Sequence, residues 1–245
     1  MALVTTDLTL VISDKPDLER DAVAEVWSAA GGEVLRLGRF WDPPPIDPRR
    51  ARVYGADAFC HVVAQKLGLA LVSPPDDLLL RLPPAVTRRA LHGVTLADAA
   101  TLAFPSFVKS FVPKLIRSRV YGSVDELLTE SHGLPPTTEL IVSEVVEFSV
   151  EARAWILDGQ VLSIACYEGT SDLADARALA ATIARDPAMV SPCVVDVGLI
   201  SARAHADRAD LGWAAIEANA AWGSGLNGCD PLAAAACIAR ASRAS

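Results

Sequence analysis

Near the end of the chain, residues 213–225 read WAAIEANAAWGSG. Small and apolar residues surround one carboxylate and one carboxamide, Glu217 and Asn219, two positions apart. On a strand, side chains at i and i+2 share a face. Such an oxygen pair suits a hard cation like Mg²⁺, which takes few protein ligands and fills its shell with phosphate oxygens. Asp196, a lone acid in the apolar stretch CVVDVGLI, is the candidate third oxygen ligand. The plainer alternative puts Glu217 and Asn219 on the solvent face of an edge strand, since so short a pattern recurs by chance.

Two lysines, Lys109 and Lys114, lie in FVKSFVPKLI. A lysine inside an apolar strand needs something to offset its desolvation, and a nucleotide phosphate would serve. A lysine whose ammonium reaches water at a strand end is the competing reading. Glu144, Glu151 and Arg153 lie in IVSEVVEFSVEARAW. Glu151 and Arg153 again share a strand face, where a surface ion pair would look the same. The four histidines are scattered without metal-ligand spacing.

The order of these features is more specific than any one of them. It runs lysine in a strand, two glutamates seven apart, aspartate in a strand, then ExN followed by glycines. This order resembles the ATP-grasp superfamily, whose members join a carboxylate to an amine through an acyl phosphate. SEVVEFSVE looks like the hinge of that fold, which implies that Glu144 and the adjoining backbone through Val146 bind adenine and that Glu151 binds ribose. VVDVGLI and AAIEANAAWGSG look like its metal strands, implying Mg²⁺, or Mn²⁺ in its place, on Asp196, Glu217 and Asn219. FVKSF looks like its phosphate-binding strand, implying Lys109 on ATP. The match is closest to a small clade marked by an arginine and two lysines. Its arginine is supplied by TRRALHGVTLADA, Arg89 in preference to Arg88 by spacing, and its second lysine by Lys114. Arg153 matches a clade arginine at the transferring phosphoryl group, and Ser224 and Gly225 in WGSG fall where the acyl substrate is met. Arg153 and Lys114 are thus the candidate catalytic residues. Residues 115–123, LIRSRVYGS, hold one glycine where the family's phosphate-covering loop is often glycine-rich.

The resemblance implies an ATP-dependent carboxylate–amine ligase acting on an amino acid or peptide, with the γ-carboxylate of glutamate as the preferred donor. The alternatives are a small-molecule kinase on the same fold and a non-catalytic nucleotide-binding module.

The elements that must position these residues are legible from pattern. The apolar run 8–13 reads as a buried strand, 17–30 as an amphipathic helix stopped by Gly-Gly, and EVLRLG as a second strand. WDPPPIDPRR must be loop, DAFCHVVAQKLG a helix closed by glycine, and LALVS a strand. The proline clusters of PPDDLLLRLPP end this first unit, so the expected division is 1–75, a Rossmann-like α/β domain preceding the ATP-grasp fold, and 76–245, the ATP-grasp domain. The class is α/β, in the α+β sense. In the second unit, 85–103 reads as one helix, PSFVKSFV as a strand, SVDELLTESHG as a helix capped by serine, and ELIVSEVVEF as a strand. EARAWILDGQVLSIACYEG reads as two strands around a DG turn. A helix is expected at 172–186, strands in 187–201 and 211–220 around a polar hairpin excursion, and a C-terminal helix over 230–245.

Composition bounds the partners. The 245 residues are 51% hydrophobic and 21% charged with a net charge of −8, so an extended nucleic-acid footprint is not expected. No apolar run reaches the ~18 residues of a membrane span. Five cysteines with no CxxC pair suggest free thiols in a cytoplasmic protein. Oligomeric state is open, with a homodimer among the options.

Overall fold

The computed structural model describes residues 5–187, 189–205 and 211–245. The chain opens with β1 (Thr9–Ser13), α1 (Leu18–Ala29), β2 (Glu33–Leu37), β3 (Ala51–Val53), α2 (Asp57–Leu67) and β4 (Leu69–Leu71). β1 pairs in parallel with β2 on one side and β3 on the other. A parallel strand is covered on both faces, which is why TLVIS carries no alternation. Asp17 caps α1 by accepting the Arg20 N–H at 2.8 Å. Gly68 closes α2 in the left-handed region, at φ 67°.

Next come α3 (Leu78–Arg81), α4 (Pro84–Thr87), β5 (Leu91–Thr95), a 3₁₀ turn (Leu96–Thr101), β6 (Ser106–Ser110), β7 (Arg119–Tyr121), α5 (Val124–Glu130) and β8 (Glu139–Ser143). The helix expected over 85–103 is not formed. α4 ends at Arg88, which turns left-handed at φ 47°. Residues 91–95 instead become an edge strand against β8. β8 is buried over four of its five residues, and its ladder needs a partner on each side. That demand outweighs the helical spacing of the alanines. The antiparallel sheet β5-β8-β6-β7 has its own core, including Val108, Tyr121, Leu127 and Leu140.

The remaining elements are β9 (Phe148–Leu157), β10 (Gln160–Glu168), α6 (Ala174–Ala184), β11 (Cys193–Ile200), β12 (Trp213–Asn219), α7 (Pro231–Ile238) and β13 (Ser242–Ala244). The DG turn between β9 and β10 has both central residues at positive φ, Asp158 at 50° and Gly159 at 74°, as a two-residue hairpin requires. The second antiparallel sheet runs β10-β9-β11-β12, with α6 packed beneath it through Ala176, Ala180 and Ile183. Part of the polar excursion before β12, residues 206–210, lies outside the described residues. The strand expected over 139–148 is broken after Ser143, and residues 144–147 link the two sheets as extended chain.

The C-terminal helix is shorter than expected, because 242–244 leaves it to pair with β4. α7 carries buried alanines at 233–236 and packs, with Ala221, Trp222 and Leu226, into the core of the first unit beside Trp27 and Phe59. No helix among the described residues is long and apolar enough to cross a membrane.

The alanines of α7 set its approach distance. Ala234 is fully buried, so Ala234→Leu is expected to overpack the seam and cost about 1–3 kcal/mol. The urea midpoint checks this, and an unchanged midpoint would show that α7 is not seated as described.

Candidate active site

Three charged side chains stand in a row across the second sheet. Asp196 on β11 is the register partner of Arg153 on β9 and of Glu217 on β12. Arg153 grips Asp196 with two donors, Nε to Oδ1 at 2.8 Å and Nη2 to Oδ2 at 2.7 Å. Its remaining nitrogen, Nη1, donates to the Gly225 carbonyl at 3.1 Å. Asn219 Nδ2 donates to Glu217 Oε1 at 2.9 Å and to Asp196 Oδ2 at 3.3 Å. The Asp196 side chain is only 3% exposed. Burial pushes its carboxyl pKa up and Glu217 adds to that, while the hydrogen bonds from Arg153 and Asn219 oppose it. For Arg153, burial works against the charge, but the bonds to Asp196 and its field prevail and the pKa is raised. The forked two-donor geometry is that of an ionised pair.

A β-bulge lies between Asp196/Val197 and Glu217/Ala215, with Ile216 as the extra residue. A bulge re-aims side chains and frees backbone groups. Here it puts both Ile216 and Glu217 on the wall of one cavity, and the Ala215 and Ile216 carbonyls accept from Arg89 at 2.6 and 3.4 Å.

That cavity, ≈ 770 Å³, lies between the two sheets. Its apolar walls include Leu91, Phe107, Ile141 and Phe148, and the linking segment supplies Glu144, Val145 and Val146. Phe148 lies close over β11 because residue 198 is glycine: a Cβ there would fall 2.4 Å from Phe148 Cδ1. Arg89, Lys109, Glu151 and Glu217 also line the space. Arg89 donates to the Ser143 hydroxyl at 3.1 Å and to the Thr87 carbonyl at 3.0 Å. Its hydrogen-bond acceptors among the described residues are thus uncharged, and burial lowers its pKa to about 10 against the opposing field of Glu144. A guanidinium so desolvated gains from an anion in the cavity. Arg88 turns instead to the Trp213 carbonyl, at 3.0 Å. Lys109 Nζ is 3.4 Å from Glu217 Oε2.

Lys114 stands apart from Lys109. It pairs with Asp57, at the start of α2, on the wall of a wider groove. This groove shares Lys109, Glu217 and Ser118 with the first cavity. Trp222 walls it, held edge-on to His61 at 5.2 Å and donating Nε1 to the Ser73 hydroxyl at 3.2 Å. Ser224 and Gly225 line a third space, against α1 and the start of α2. The structure therefore spreads the expected residues over three adjoining spaces. Arg89, Lys109, Glu144, Val146, Glu151 and Glu217 share the first, Asn219 and Lys114 stand in the second, Ser224 and Gly225 in the third. Arg153 and Asp196 line none of the three.

Some participants carried no sequence signal. Tyr167 donates to Glu151 Oε2 at 2.6 Å from a register shift in β10, and bulges are not written in local pattern. Ser143, Phe148 and Asp57 acquire their places only through sheet pairing and domain packing. Among the described residues no group of three or more His, Cys, Asp or Glu side chains could hold a metal. Two carboxylates and a carboxamide oxygen remain an all-oxygen set, which fits Mg²⁺ shared with phosphate.

A family model for an ATP-grasp domain, family 2 of the clade named for one arginine and two lysines, matches residues 86–237. Among solved structures the chain is similar to a RimK domain protein ATP-grasp from Sphaerobacter thermophilus, at 16% identity and TM-score 0.60, covering 95% of this chain and 98% of that one. It is also similar to N5-carboxyaminoimidazole synthase from Aspergillus clavatus, in complex with ADP and 5-aminoimidazole ribonucleotide, at 12% identity and TM-score 0.57, covering 97% and 78%. At such identities the likeness is one of fold. No curated protein matches the chain.

The row of charges separates two substitutions. Asp196→Ala strands the buried Arg153 charge and is expected to cost about 3–5 kcal/mol. Glu217→Ala removes half of a partly exposed ion pair and is expected to change stability by about 1 kcal/mol or less. Chemical denaturation of the two variants tests the contrast, and equal losses would contradict it.

Proposed function

The chain belongs to the ATP-grasp domain family, within the clade of one arginine and two lysines, and on that footing we propose that it is an ATP-dependent ligase joining a carboxylate to an amine. The observation that carries the reading is Arg89: a buried guanidinium whose hydrogen-bond acceptors are neutral, beside Lys109, on the wall of an apolar cavity. An adenine ring fills the space between Phe107, Ile141 and Phe148, with the backbone of Glu144–Val146 along its edge. Glu151, held by Tyr167, receives the ribose hydroxyls. The phosphates run toward Arg89 and Lys109, with Lys114 at the groove mouth. In this division residues 1–75 face the substrate and 76–245 hold the nucleotide.

The donor carboxylate attacks the γ-phosphorus and ADP leaves, giving an acyl phosphate. The amine then attacks the acyl carbon, phosphate departs, and the amine gives up its proton. Mg²⁺, held by Asp196, Glu217 and Asn219, would neutralise charge on the phosphates when bound. Most of the protein's contribution is positioning and fixed positive charge. Arg153 fixes Asp196 with its fork and the Gly225 carbonyl with Nη1. The donor is an amino-acid carboxylate and the acceptor the amine of an amino acid or peptide. The family's chemistry and the groove beside Lys109 and Glu217 support this.

Binding of ATP–Mg²⁺ to the folded state alone should raise the melting temperature, corresponding to about 2.7 kcal/mol at a hundred times Kd. No shift would remove the nucleotide assignment. Glu217→Ala should fold and lose turnover.

A second experiment separates ligase from kinase. With a carboxylate alone, ADP release should be slow, because the acyl phosphate is kept from water. It should rise when the amine is added, and hydroxylamine should trap a hydroxamate. Arg153→Lys should lose most of the rate, since a point charge cannot replace the planar fork. A stable phosphorylated product formed without any amine requirement would overturn the ligase in favour of a kinase.

A further inference from the structure

The linking segment 144–147 is pinned at both ends. At the first end the Glu144 N–H donates to the Ala90 carbonyl at 2.9 Å. At the second end the ladder between β9 and β11 continues past its last strand pair. Ile200 is the register partner of Phe148, and one residue further the Ser201 N–H donates to the Glu147 carbonyl at 2.8 Å. After Ser201 the chain turns away from the ladder, and the His205 N–H donates to the Ser201 carbonyl at 3.0 Å. That turn brings the His205 side chain to the segment, where its Nε2 accepts the Glu147 N–H at 2.9 Å. An imidazole nitrogen thus takes the place of a ladder carbonyl.

The bond sits at a sensitive place. Glu147 lies between Val146 and Phe148, and both of these line the cavity between the sheets. The Phe148 ring is seated close over Gly198, with the Arg89 guanidinium 5.8 Å from its centre. Turning the Glu147 peptide would shift the side chains on either side of it. The turn that presents His205 starts from a buried residue, Ser201, whose hydroxyl accepts the Ala204 N–H at 3.3 Å.

A proton can remove this acceptor, whereas a carbonyl would not titrate. A neutral imidazole has one donor and one acceptor nitrogen, and an imidazolium has two donors. With Nε2 accepting, the proton of the neutral ring sits on Nδ1. A second proton on Nε2 would set two N–H groups against each other. The charged side chains on the two segments are Glu144 and Glu147 on one and Arg203 on the other. Arg88 reaches the same end of the sheet by donating to the Leu211 carbonyl at 3.3 Å. Among the described residues none of these side chains pairs with His205.

We propose that His205 is a pH-sensitive positioning residue of the nucleotide cavity. The neutral imidazole holds the Glu147 peptide, and with it Val146 and Phe148, in the arrangement that takes the adenine ring; the imidazolium releases it. The proposal rests on the nucleotide reading of that cavity and adds a control to it. The neutral form is the one bonded here, so nucleotide affinity is full above the imidazole range and falls as pH drops through it. His205 does not line the cavity, so it acts through Glu147 and takes no part in phosphoryl transfer.

Two measurements test this. Heteronuclear NMR of the nucleotide-free wild type runs from about pH 8 to about pH 5, the span in which imidazoles charge. It should show the Nδ1–H tautomer of His205 at the upper end and a Glu147 amide resonance that moves with the His205 titration. Calorimetry with ATP–Mg²⁺ over the same span compares the wild type with His205→Gln, whose carboxamide oxygen accepts the same N–H and does not titrate. The two should bind alike at the upper end. At the lower end the wild type should bind roughly two- to tenfold more weakly than the variant, the usual worth of one hydrogen bond. Taking the ratio at each pH cancels the titration of the phosphates, which is common to both proteins. His205→Ala should already be weaker at the upper end. A ratio that stays level across the span, or a Glu147 amide indifferent to the His205 titration, overturns the proposal. The amide titration decides even where a variant fails to fold. Absence of ATP–Mg²⁺ binding by the wild type at the upper end, with the amide titration intact, would strike the nucleotide reading instead, so the two failures are distinct.

Discussion

The Arg153–Asp196 pair is the interaction on which the site's geometry depends. Two charges taken out of water lose several kcal/mol each, and the loss is offset only where geometry is good and the remaining donors are used. Here the fork satisfies both carboxylate oxygens, and the last guanidinium nitrogen takes the Gly225 carbonyl. The pair fixes the register of β9 against β11 as well, because a slip of one residue in either strand would turn that strand's charge into the opposite core, away from its partner. Through Gly225 and Glu19 the same arginine is tied to α1, so one hydrogen-bonded chain runs from the N-terminal unit to the centre of the main sheet. That linkage holds the loop 223–225 in a fixed relation to the charged row.

The charges of the cleft are unevenly partnered. Asp196 is matched by Arg153, and Glu217 only loosely by Lys109 at 3.4 Å. Arg89 is satisfied in hydrogen bonds, while among the described residues its charge meets only the field of Glu144. A site that already contained a full complement of ion pairs would have little to gain from a polyanion. This one has a desolvated cation, Arg89, on the same wall as Lys109 and Glu217. The asymmetry arises from the bulge at Ile216, which brings Arg89 to bare carbonyls.

Strand alternation made Glu217 and Asn219 legible, because period two is a local property. The same rule placed Glu151 and Arg153 on one face and Lys109 inside an apolar strand. The spacing of Arg89 from the following residues was also readable, although the segment behind it was not. Residues 85–103 look helical by their alanines, and only pairing with the buried β8 makes 91–95 a strand. β13 was hidden for the same reason, since its partner β4 lies some 170 positions earlier in the chain. Register shifts escaped too, and with them Tyr167. Local periodicity thus revealed the charged row, while the cavities arose from tertiary packing.

The arrangement of the two sheets adds a constraint on how the cleft can work. Residues 91–143 form a contiguous unit with its own core, inserted between α4 and β9. The chain therefore crosses between this unit and the main sheet at two places only, near Arg89–Ala90 and at Glu144–Glu147. These crossings lie side by side: the Glu144 N–H donates to the Ala90 carbonyl at 2.9 Å, and Ala90 N–H donates to Glu144 Oε2 at 3.2 Å. Arg89 spans the same seam, bound to Ser143 on one side and to Ala215 and Ile216 on the other. Rotation of the inserted sheet that keeps these bonds must turn about this seam, as in hinge motions that concentrate dihedral change in a few residues. Lys109 lies on β6 of the inserted sheet, whereas Arg89 lies on the seam itself. The cavity between the sheets thus has Arg89 on the seam that joins them and Lys109 on the inserted sheet, facing Glu217.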